Sequence, residues 1–167
     1  MAKDKEPKPA AKARRKPHLD ALDKKTLDLI TGTAERVKKR IDARNLPELS
    51  FPERSLGNVK YDQKIGYFEL GRGKKTRALS VNTVKNFAQT LRLMSISKEM
   101  VENDDFATKR EAYYVSKNWG DCKFDDQPES DAVMDDIEAL ASLDGLSREQ
   151  LRFYPCLLYT SPSPRDS

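Results

Sequence analysis

One arginine and two tyrosines carry the chemistry that stands out in this sequence. Arg110, Tyr113 and Tyr114 are three and four residues apart, a spacing that brings them together on a helix surface. A guanidinium can donate two parallel hydrogen bonds to a phosphate. A tyrosine hydroxyl, with a pKa of about 10, is ionised in only about one molecule in a thousand at neutral pH, so it would have to lose its proton in order to react as a nucleophile. On a face turned away from the core, this cation and the pair of tyrosines could serve a phosphate, and spacing alone leaves both tyrosines open.

The residues around this set carry the start and stop signals of a short helix. Thr108 and Glu111 have the spacing of a capping box, in which each side chain binds a backbone N–H at the helix start. Asn118 and Gly120 commonly take the left-handed conformation that ends a helix. We therefore predict a helix over 108–118. Two apolar residues fall on its opposite face and are expected to point to the core: Ala112 and Val115.

A longer helix is predicted just before it, over 80–102, with Ser80 or Asn82 as its cap. Apolar side chains recur there at three- and four-residue steps; they are Val84, Phe87 (or Ala88), Leu91, Met94 and Met100/Val101. A helix, a short turn and a second helix outline a helix-turn-helix, whose second helix faces DNA. The methionines and aromatic residues of the first helix are then core and do not form a cofactor site.

Three strings in this region resemble the A subunit of archaeal-type DNA topoisomerase VI. They are Thr108-Lys-Arg-Glu-Ala-Tyr-Tyr114, Ser116-Lys-Asn-Trp-Gly120 and Phe124-Asp-Asp-Gln-Pro-Glu-Ser-Asp131. Arg54-Ser-Leu-Gly-Asn58 is similar to a further family stretch. The meiotic break-forming transesterases share the Arg-acid-x-aromatic-Tyr core. The resemblance implies that a tyrosine hydroxyl cuts duplex DNA, with Tyr114 as the nucleophile, Arg110 as its catalytic partner and Tyr113 as a packing or positioning residue.

The same resemblance implies an architecture and an assembly. The expected fold class is α+β, with a winged helix of the catabolite-activator type over 80–155 that bears the nucleophile. Mg²⁺ would be held by carboxylates of a Toprim domain beyond this sequence, so this chain alone is expected not to cleave DNA. The implied partners are double-stranded DNA, a second copy of the A subunit and the ATPase B subunit, within an A2B2 complex. Two alternatives remain: a winged-helix DNA-binding module without chemistry, and a break-forming transesterase without strand passage.

Five cations are predicted to contact DNA. Lys109 and Lys117 belong to the short helix, whereas the others lie in the glycine-rich basic loop Gly71–Arg77. That loop lacks the spacing of a Walker A motif, and a solvated turn is the other interpretation. The candidates in the loop are Arg72, Lys74 and Lys75.

Two further segments precede the winged-helix region. Residues 18–46 are predicted to form a basic amphipathic helix that packs or docks a partner, and the resemblance implies that this partner is the B subunit. Its apolar stripe is Ile30, Ala34, Val37 and Ile41. Residues 47–79 are predicted as a β-hairpin region, with strands at Leu49–Pro52, Asn58–Asp62 and Ile65–Gly71 and a turn around Gln63 and Lys64.

Charge and composition divide the ends of the chain from its middle. Of 167 residues, 35% are charged, and residues 1–17 hold seven bases and two acids. That arm is predicted to be disordered and either solubilises the chain or touches phosphate or a partner. Residues 156–167 break the pattern and are predicted to be a non-native tail, with a disordered tail as the alternative. We expect a cytoplasmic protein without a membrane span or a signal peptide.

The segment 121–138 holds eight acids and one lysine. It lacks the spacing, the central glycine and the terminal glutamate of an EF-hand, so we predict no metal site there. Ser130 is predicted to cap a helix over 131–143, and Ser147–Gln150 to form a second capping box. Cys122 and Cys156 are distant in sequence and His18 is single, which argues against a disulfide framework or a zinc cluster.

Overall fold

The computed structural model describes residues 19–62, 67–71 and 73–155. The fold over these residues is α+β, which confirms the predicted class. The helices are α1 (Ala21–Asp42), α2 (Val84–Asn103), α3 (Lys109–Ser116) and α4 (Gln127–Ser142). The strands are β1 (Glu48–Pro52), β2 (Val59–Asp62), β3 (Tyr67–Leu70), β4 (Lys74–Ala78), β5 (Ala107–Thr108) and β6 (Phe153–Tyr154). The predictions for the basic arm, the turn at Gln63 and Lys64, Arg72 and the C-terminal tail lie outside the described residues.

Helix α1 buries a more polar face than its apolar stripe predicted. Ile30 and Val37 are buried, whereas Ile41 is half exposed. Thr26 and Thr33 are buried instead, and each hydroxyl donates to the carbonyl four residues earlier, at 2.9 and 2.8 Å. Because those bonds satisfy the hydroxyls within the helix, threonine can occupy core positions that a search for apolar residues passes over.

The four strands of the hairpin region form two nested antiparallel ladders. β2 pairs with β3, with Val59 opposite Leu70 and Asp62 opposite Tyr67, which confirms the predicted hairpin. β1 pairs with β4, from Glu48 opposite Ala78 to Pro52 opposite Lys74. The prediction of a basic loop over Gly71–Arg77 was wrong for its second half, because pairing with β1 makes Lys74–Ala78 a strand.

Asn58 joins the two ladders. Its side-chain oxygen accepts the N–H of Gly73 at 2.8 Å, and its amide nitrogen donates to the carbonyls of Glu53 and Gly73 at 2.6 and 3.2 Å. A Cβ added at Gly71 or Gly73 would lie 2.5 or 2.8 Å from the Asn58 side-chain oxygen. At Gly71 the added Cβ would also lie 2.8 Å from the Asn58 backbone oxygen, whereas at Gly73 only the Asn58 side chain would have to move. The close approach therefore requires glycine most strictly at Gly71.

Helices α2, α3 and α4 enclose the main core together with the turn that precedes β6. Its fully buried side chains include Leu93, Phe124, Met134, Leu151 and Phe153. Strands β5 and β6 pair in parallel, with Ala107 opposite Phe153, so the residues just before α3 are tied to the far end of the described chain. The finer assignment to a winged helix stays a prediction.

Several predicted helix starts shift in the structure. α2 has Thr83 at its N-cap, without a capping bond from its side chain, and Val84 is half exposed. α4 is capped by Asp126, whose carboxylate accepts the N–H of Glu129 at 2.9 Å. Ser130, the predicted cap, is therefore buried inside that helix, because Pro128 and the acids before it already begin the first turn.

The capping box predicted at Ser147–Gln150 forms in part. The N–H of Ser147 does bind the Gln150 side chain, at 2.8 Å, but turns, and not a helix, lead from there to β6. Among the described residues no helix combines the length and the apolar character that crossing a bilayer requires.

Candidate functional site

Helix α3 is held at its start by the predicted capping box. The Glu111 N–H donates to the Thr108 hydroxyl at 3.1 Å, and the Thr108 N–H donates to the Glu111 carboxylate at 2.6 Å. The helix ends at Ser116, and Gly120 takes the left-handed conformation with a φ of 60°. Asn118 does not, contrary to prediction, because the helix leaves through a right-handed Lys117 and further turns. The reciprocal cap fixes the register of the residues that follow.

The buried side of α3 is narrower than predicted. Ala112 and Ser116, one turn apart, are buried, whereas Val115 is 47% exposed. The Ser116 hydroxyl donates to the Tyr113 carbonyl at 2.6 Å and accepts the Phe124 N–H at 3.4 Å. The prediction for Val115 was wrong because this polar contact to the following loop, and not a second apolar residue, completes the buried edge.

Arg110 and Tyr114 meet on the outer face of α3. The guanidinium donates from Nε and Nη2 to the Tyr114 hydroxyl oxygen at 3.4 and 3.3 Å, and its carbon lies 5.7 Å from the centre of the ring. Tyr114 is 53% exposed. The pair therefore presents a hydroxyl to solvent with a cation beside it.

Tyr113 has different surroundings. It is half buried against the main core, and its hydroxyl lies 3.5 Å from the Asp125 carbonyl. The Lys117 ammonium lies 4.2 Å from the centre of the Tyr113 ring and donates to the Phe124 carbonyl at 2.9 Å. Tyr113 and Lys117 thus hold the loop after α3, and the two adjacent tyrosines have separate environments.

The structure separates the other predicted DNA contacts. Lys74 and Lys75 on β4 are exposed. Lys109 is only 19% exposed, and its ammonium lies 3.2 Å from the Asp135 carboxylate. Lys117 is engaged with the loop as described. Geometry thus favours Lys74 and Lys75 over Lys109 as phosphate contacts.

Six of the eight acids in the segment 121–138 are paired with cations. Lys85 donates to the Asp125 carboxylate at 2.6 Å; this hydrogen bond lowers the pKa of Asp125 and raises that of Lys85. Asp131 and Asp135 face Lys109. Within the ranges that the structure describes, no group of three or more His, Cys, Asp or Glu side chains is arranged to hold a metal ion. The described residues therefore do not fit a Mg²⁺ site.

Sequence comparison supplies the family. Residues 85–152, from α2 through the turn after α4, match the type IIB DNA topoisomerase family. The chain is 41% identical over 141 residues to the A subunit of type 2 DNA topoisomerase 6 from Methanocaldococcus jannaschii, covering 82% of this chain and 37% of that relative. The chain belongs to the topoisomerase VI A-subunit family.

Other members of the topoisomerase VI A-subunit family match this chain as well. The Archaeoglobus fulgidus relative is 28% identical over 137 residues, which cover 80% of this chain and 37% of that protein. The Sulfurisphaera tokodaii relative is 32% identical over 132 residues, which cover 72% and 34%. The chain thus spans just over a third of the length of these relatives, and the matched region contains α3 with both tyrosines. The resemblance based on three short strings is confirmed.

Sequence reasoning missed an ion-pair cluster on α4. Asp135 and Asp136 bind cations from four separate segments of the chain: Arg54, Arg77, Lys109 and Arg148. The sequence signal was weak, since a pair of acids on a helix is usually solvated. The family-like stretch that begins at Arg54 was the one available clue.

Proposed function

We propose that this chain is the nucleophile-bearing part of the DNA-cleaving A subunit of a type IIB topoisomerase. Tyr114 attacks a phosphodiester of duplex DNA, and Arg110 stabilises the charge that develops. One observation carries this proposal: the hydroxyl of Tyr114 is exposed on a capped helix and is bound by the Arg110 guanidinium at 3.3 and 3.4 Å.

The reaction is a transesterification. The Tyr114 oxygen forms a bond to phosphorus while the bond from phosphorus to one deoxyribose oxygen breaks. The tyrosine loses its proton, and the leaving deoxyribose oxygen gains one, so that no oxidant or reductant is involved. Because a phosphodiester is exchanged for a phosphotyrosyl ester, attack by the released hydroxyl can restore the strand.

Arg110 suits the role of charge stabiliser in this step. Its forked donors already converge on the Tyr114 oxygen, so a phosphate approaching that oxygen meets the same guanidinium. Donors of this kind, fixed before the charge develops, typically contribute about a hundredfold in rate each. Tyr113 is a packing residue in this proposal, since it lies against the core.

The remaining parts of the assignment follow from the family. α2, α3 and the residues up to 155 form the winged helix, Lys74 and Lys75 contact the DNA backbone, and α1 docks an ATPase B subunit. Two A subunits and two B subunits form the complex. In the intact A subunit, carboxylates of a Toprim domain would hold Mg²⁺, which would stabilise the charge on the phosphate. ATP hydrolysis by the B subunit drives strand passage.

A DNA-binding module without chemistry is the alternative from a different class. In such a module both tyrosines would serve packing, in the way that the Tyr113 ring packs against the core. The exposure of Tyr114 and its contact with Arg110 favour the chemical role. The other alternative is a break-forming transesterase. It shares the Tyr114 step, but no strand passage follows, so it does not depend on ATP.

The proposal is tested by trapping the phosphotyrosyl bond. The intact A subunit that contains this chain is mixed with its B subunit, duplex DNA, Mg²⁺ and ATP, then denatured and digested to map the DNA-linked peptide. We expect the adduct on Tyr114, its loss in Tyr114→Phe and its retention in Tyr113→Phe. An adduct retained by Tyr114→Phe would contradict the proposal. If the complex relaxes supercoiled DNA with ATP but not without it, the cleavage serves strand passage.

A further inference from the structure

Two neighbouring carboxylates on α4 collect cations from elements that are distant in sequence. The Arg54 guanidinium donates to Asp135 at 3.1 Å and to Asp136 at 3.2 Å, and so bridges them. Arg148 reaches Asp135 at 2.9 Å and also binds Glu138. We call Asp135, Asp136 and their partners Arg54, Arg77, Lys109 and Arg148 the α4 hub.

One side of the α4 hub holds the strands. Arg77 of β4 lies 2.5 Å from Asp136, and their side chains are 15% and 12% exposed. The Arg77 guanidinium also lies 5.2 Å from the centre of the Phe51 ring on β1. Since little solvent screens this pair, it fixes the β1–β4 ladder, which carries Lys74 and Lys75, against α4.

The other side of the α4 hub holds the helix with the nucleophile. Lys109 is the first residue of α3, and its ammonium lies 3.2 Å from Asp135 and 3.9 Å from Asp131. The next residue is Arg110, and one turn later comes Tyr114. The start of α3 is thus tied to the same carboxylate that Arg54 binds.

We propose that Asp135 and Asp136 are positioning residues that hold the Tyr114 helix in a fixed relation to the β1–β4 ladder. DNA that contacts Lys74 and Lys75 would then reach the Tyr114 hydroxyl at the correct place. This inference rests on the proposed function, since it concerns the geometry of the same attack. A shift of about 1 Å in a reacting group can cost about a hundredfold in rate.

The electrostatics of the α4 hub agree with this role. Burial raises the pKa of Asp135, but the hydrogen bonds and charges of Lys109 and Arg54 outweigh burial and leave that pKa below its ordinary value. Asp135 is therefore ionised and paired in the folded protein. Removing the Asp135 charge leaves Arg54, Arg148 and Lys109 with one acidic partner each, namely Asp136, Glu138 and Asp131. Each cation can then shift toward the partner that remains, and the start of α3 shifts with Lys109.

The test compares the cleavage rate with DNA affinity and folding. The intact A subunit, in complex with its B subunit, is made as Asp135→Asn, Lys109→Met and the double variant. Adduct formation is followed in a single turnover at saturating DNA, and DNA affinity and the melting temperature are measured alongside. The matched control is the exposed ion pair Lys98–Glu102 on α2, tested as Lys98→Met and Glu102→Gln.

We expect Asp135→Asn and Lys109→Met each to lower the cleavage rate about tenfold to a hundredfold, with DNA affinity within about twofold. The double variant should be no slower than the slower single variant, because Lys109→Met breaks a contact with Asp135 that Asp135→Asn has already removed. Lys109→Arg should recover most of the rate. The Lys98 and Glu102 variants should cleave as the wild type does.

Each failure has a separate meaning. If the wild type forms no adduct on Tyr114, the proposed function fails. If the wild type cleaves and Asp135→Asn cleaves equally fast, the positioning role is refuted. It is also refuted if the cleavage rate falls only in proportion to the folded fraction. Weaker DNA binding in Lys109→Met but not in Asp135→Asn would make Lys109 a DNA contact and would overturn the inference.

Discussion

The Nη2 atom of Arg110 lies 3.3 Å from the hydroxyl oxygen of Tyr114, one turn further along α3. The same guanidinium offers Nε to that oxygen at 3.4 Å. The proposed charge partner is therefore built into the helix that carries the proposed nucleophile. Any motion that carries Tyr114 to a phosphate carries Arg110 with it.

Replacing Arg110 should slow DNA cleavage more than it weakens DNA binding. We expect Arg110→Ala in the intact protein to lower the single-turnover rate by about a hundredfold, the typical loss for one transition-state donor. Arg110→Lys should recover only part of this loss, because an ammonium lacks the planar fork of donors. Equal rates for Arg110→Ala and the wild type at saturating DNA would show that Arg110 has no role in the step.

Tyr113 and Tyr114 should respond in opposite ways to loss of the hydroxyl and loss of the ring. Tyr113→Phe should keep the cleavage activity, whereas Tyr113→Ala should destabilise the chain by about 2 kcal/mol, since a half-buried ring is removed from the core. Tyr114→Ala should leave the free energy of unfolding within about 0.5 kcal/mol, as expected of an exposed residue. Urea unfolding of the chain measures both variants, and a larger effect at Tyr114 would contradict the assignment of the core-facing ring.

The capping box of α3 should contribute measurably to stability. Thr108→Ala removes the acceptor for the Glu111 N–H and should cost about 1 kcal/mol of unfolding free energy. Thr31→Ala, at an exposed position within α1, is the matched control and should not destabilise the chain. If both variants unfold at the same urea concentration, the cap does not hold the helix.

The glycines of the hairpin region and of α1 should behave differently on substitution by alanine. Gly73→Ala should destabilise the chain by about 1–3 kcal/mol, because its Cβ would lie 2.8 Å from the Asn58 side-chain oxygen. Gly32 is inside α1, and a Cβ there meets no atom within 4 Å. Gly32→Ala should therefore stabilise the chain by about 0.5–1 kcal/mol. Thermal unfolding of both variants tests the sign of each effect.

Acid should weaken the α4 hub. The pKa of Asp135 is lowered in the folded protein, so its contribution is present above the ordinary aspartate pKa of about 3.9 and is lost as the pH falls through the lower, folded-state pKa. The unfolding free energy of the wild type should thus exceed that of Asp135→Asn at neutral pH, and the difference should shrink in acid. Parallel curves for the two proteins across this range would contradict the pairing.

Local signals in the sequence predicted the site well. Thr108 and Glu111 are three residues apart and form the cap as their types require, and Arg110 and Tyr114 meet because one helical turn separates them. The resemblance, rather than the spacing, selected Tyr114 over Tyr113, and the structure gives the two tyrosines different exposure. Their catalytic roles remain predictions.

Contacts between distant segments explain most of what the sequence did not reveal. Lys74–Ala78 is rich in cations, and only its pairing with Glu48–Pro52 makes it a strand. The α4 hub joins α4 to four other segments, so no spacing rule finds it. Val115 fits an apolar pattern but stays exposed, because Ser116 fills the buried position through hydrogen bonds.

The parallel pairing of Ala107–Thr108 with Phe153–Tyr154 also bears on the order of events during translation. The ribosome makes Tyr114 well before it makes the strand that anchors the residues preceding α3. Until Phe153 and Tyr154 have emerged and docked, the first turn of α3 lacks this anchor. The helix that bears the proposed nucleophile is thus anchored late, after the surrounding helices have been synthesised.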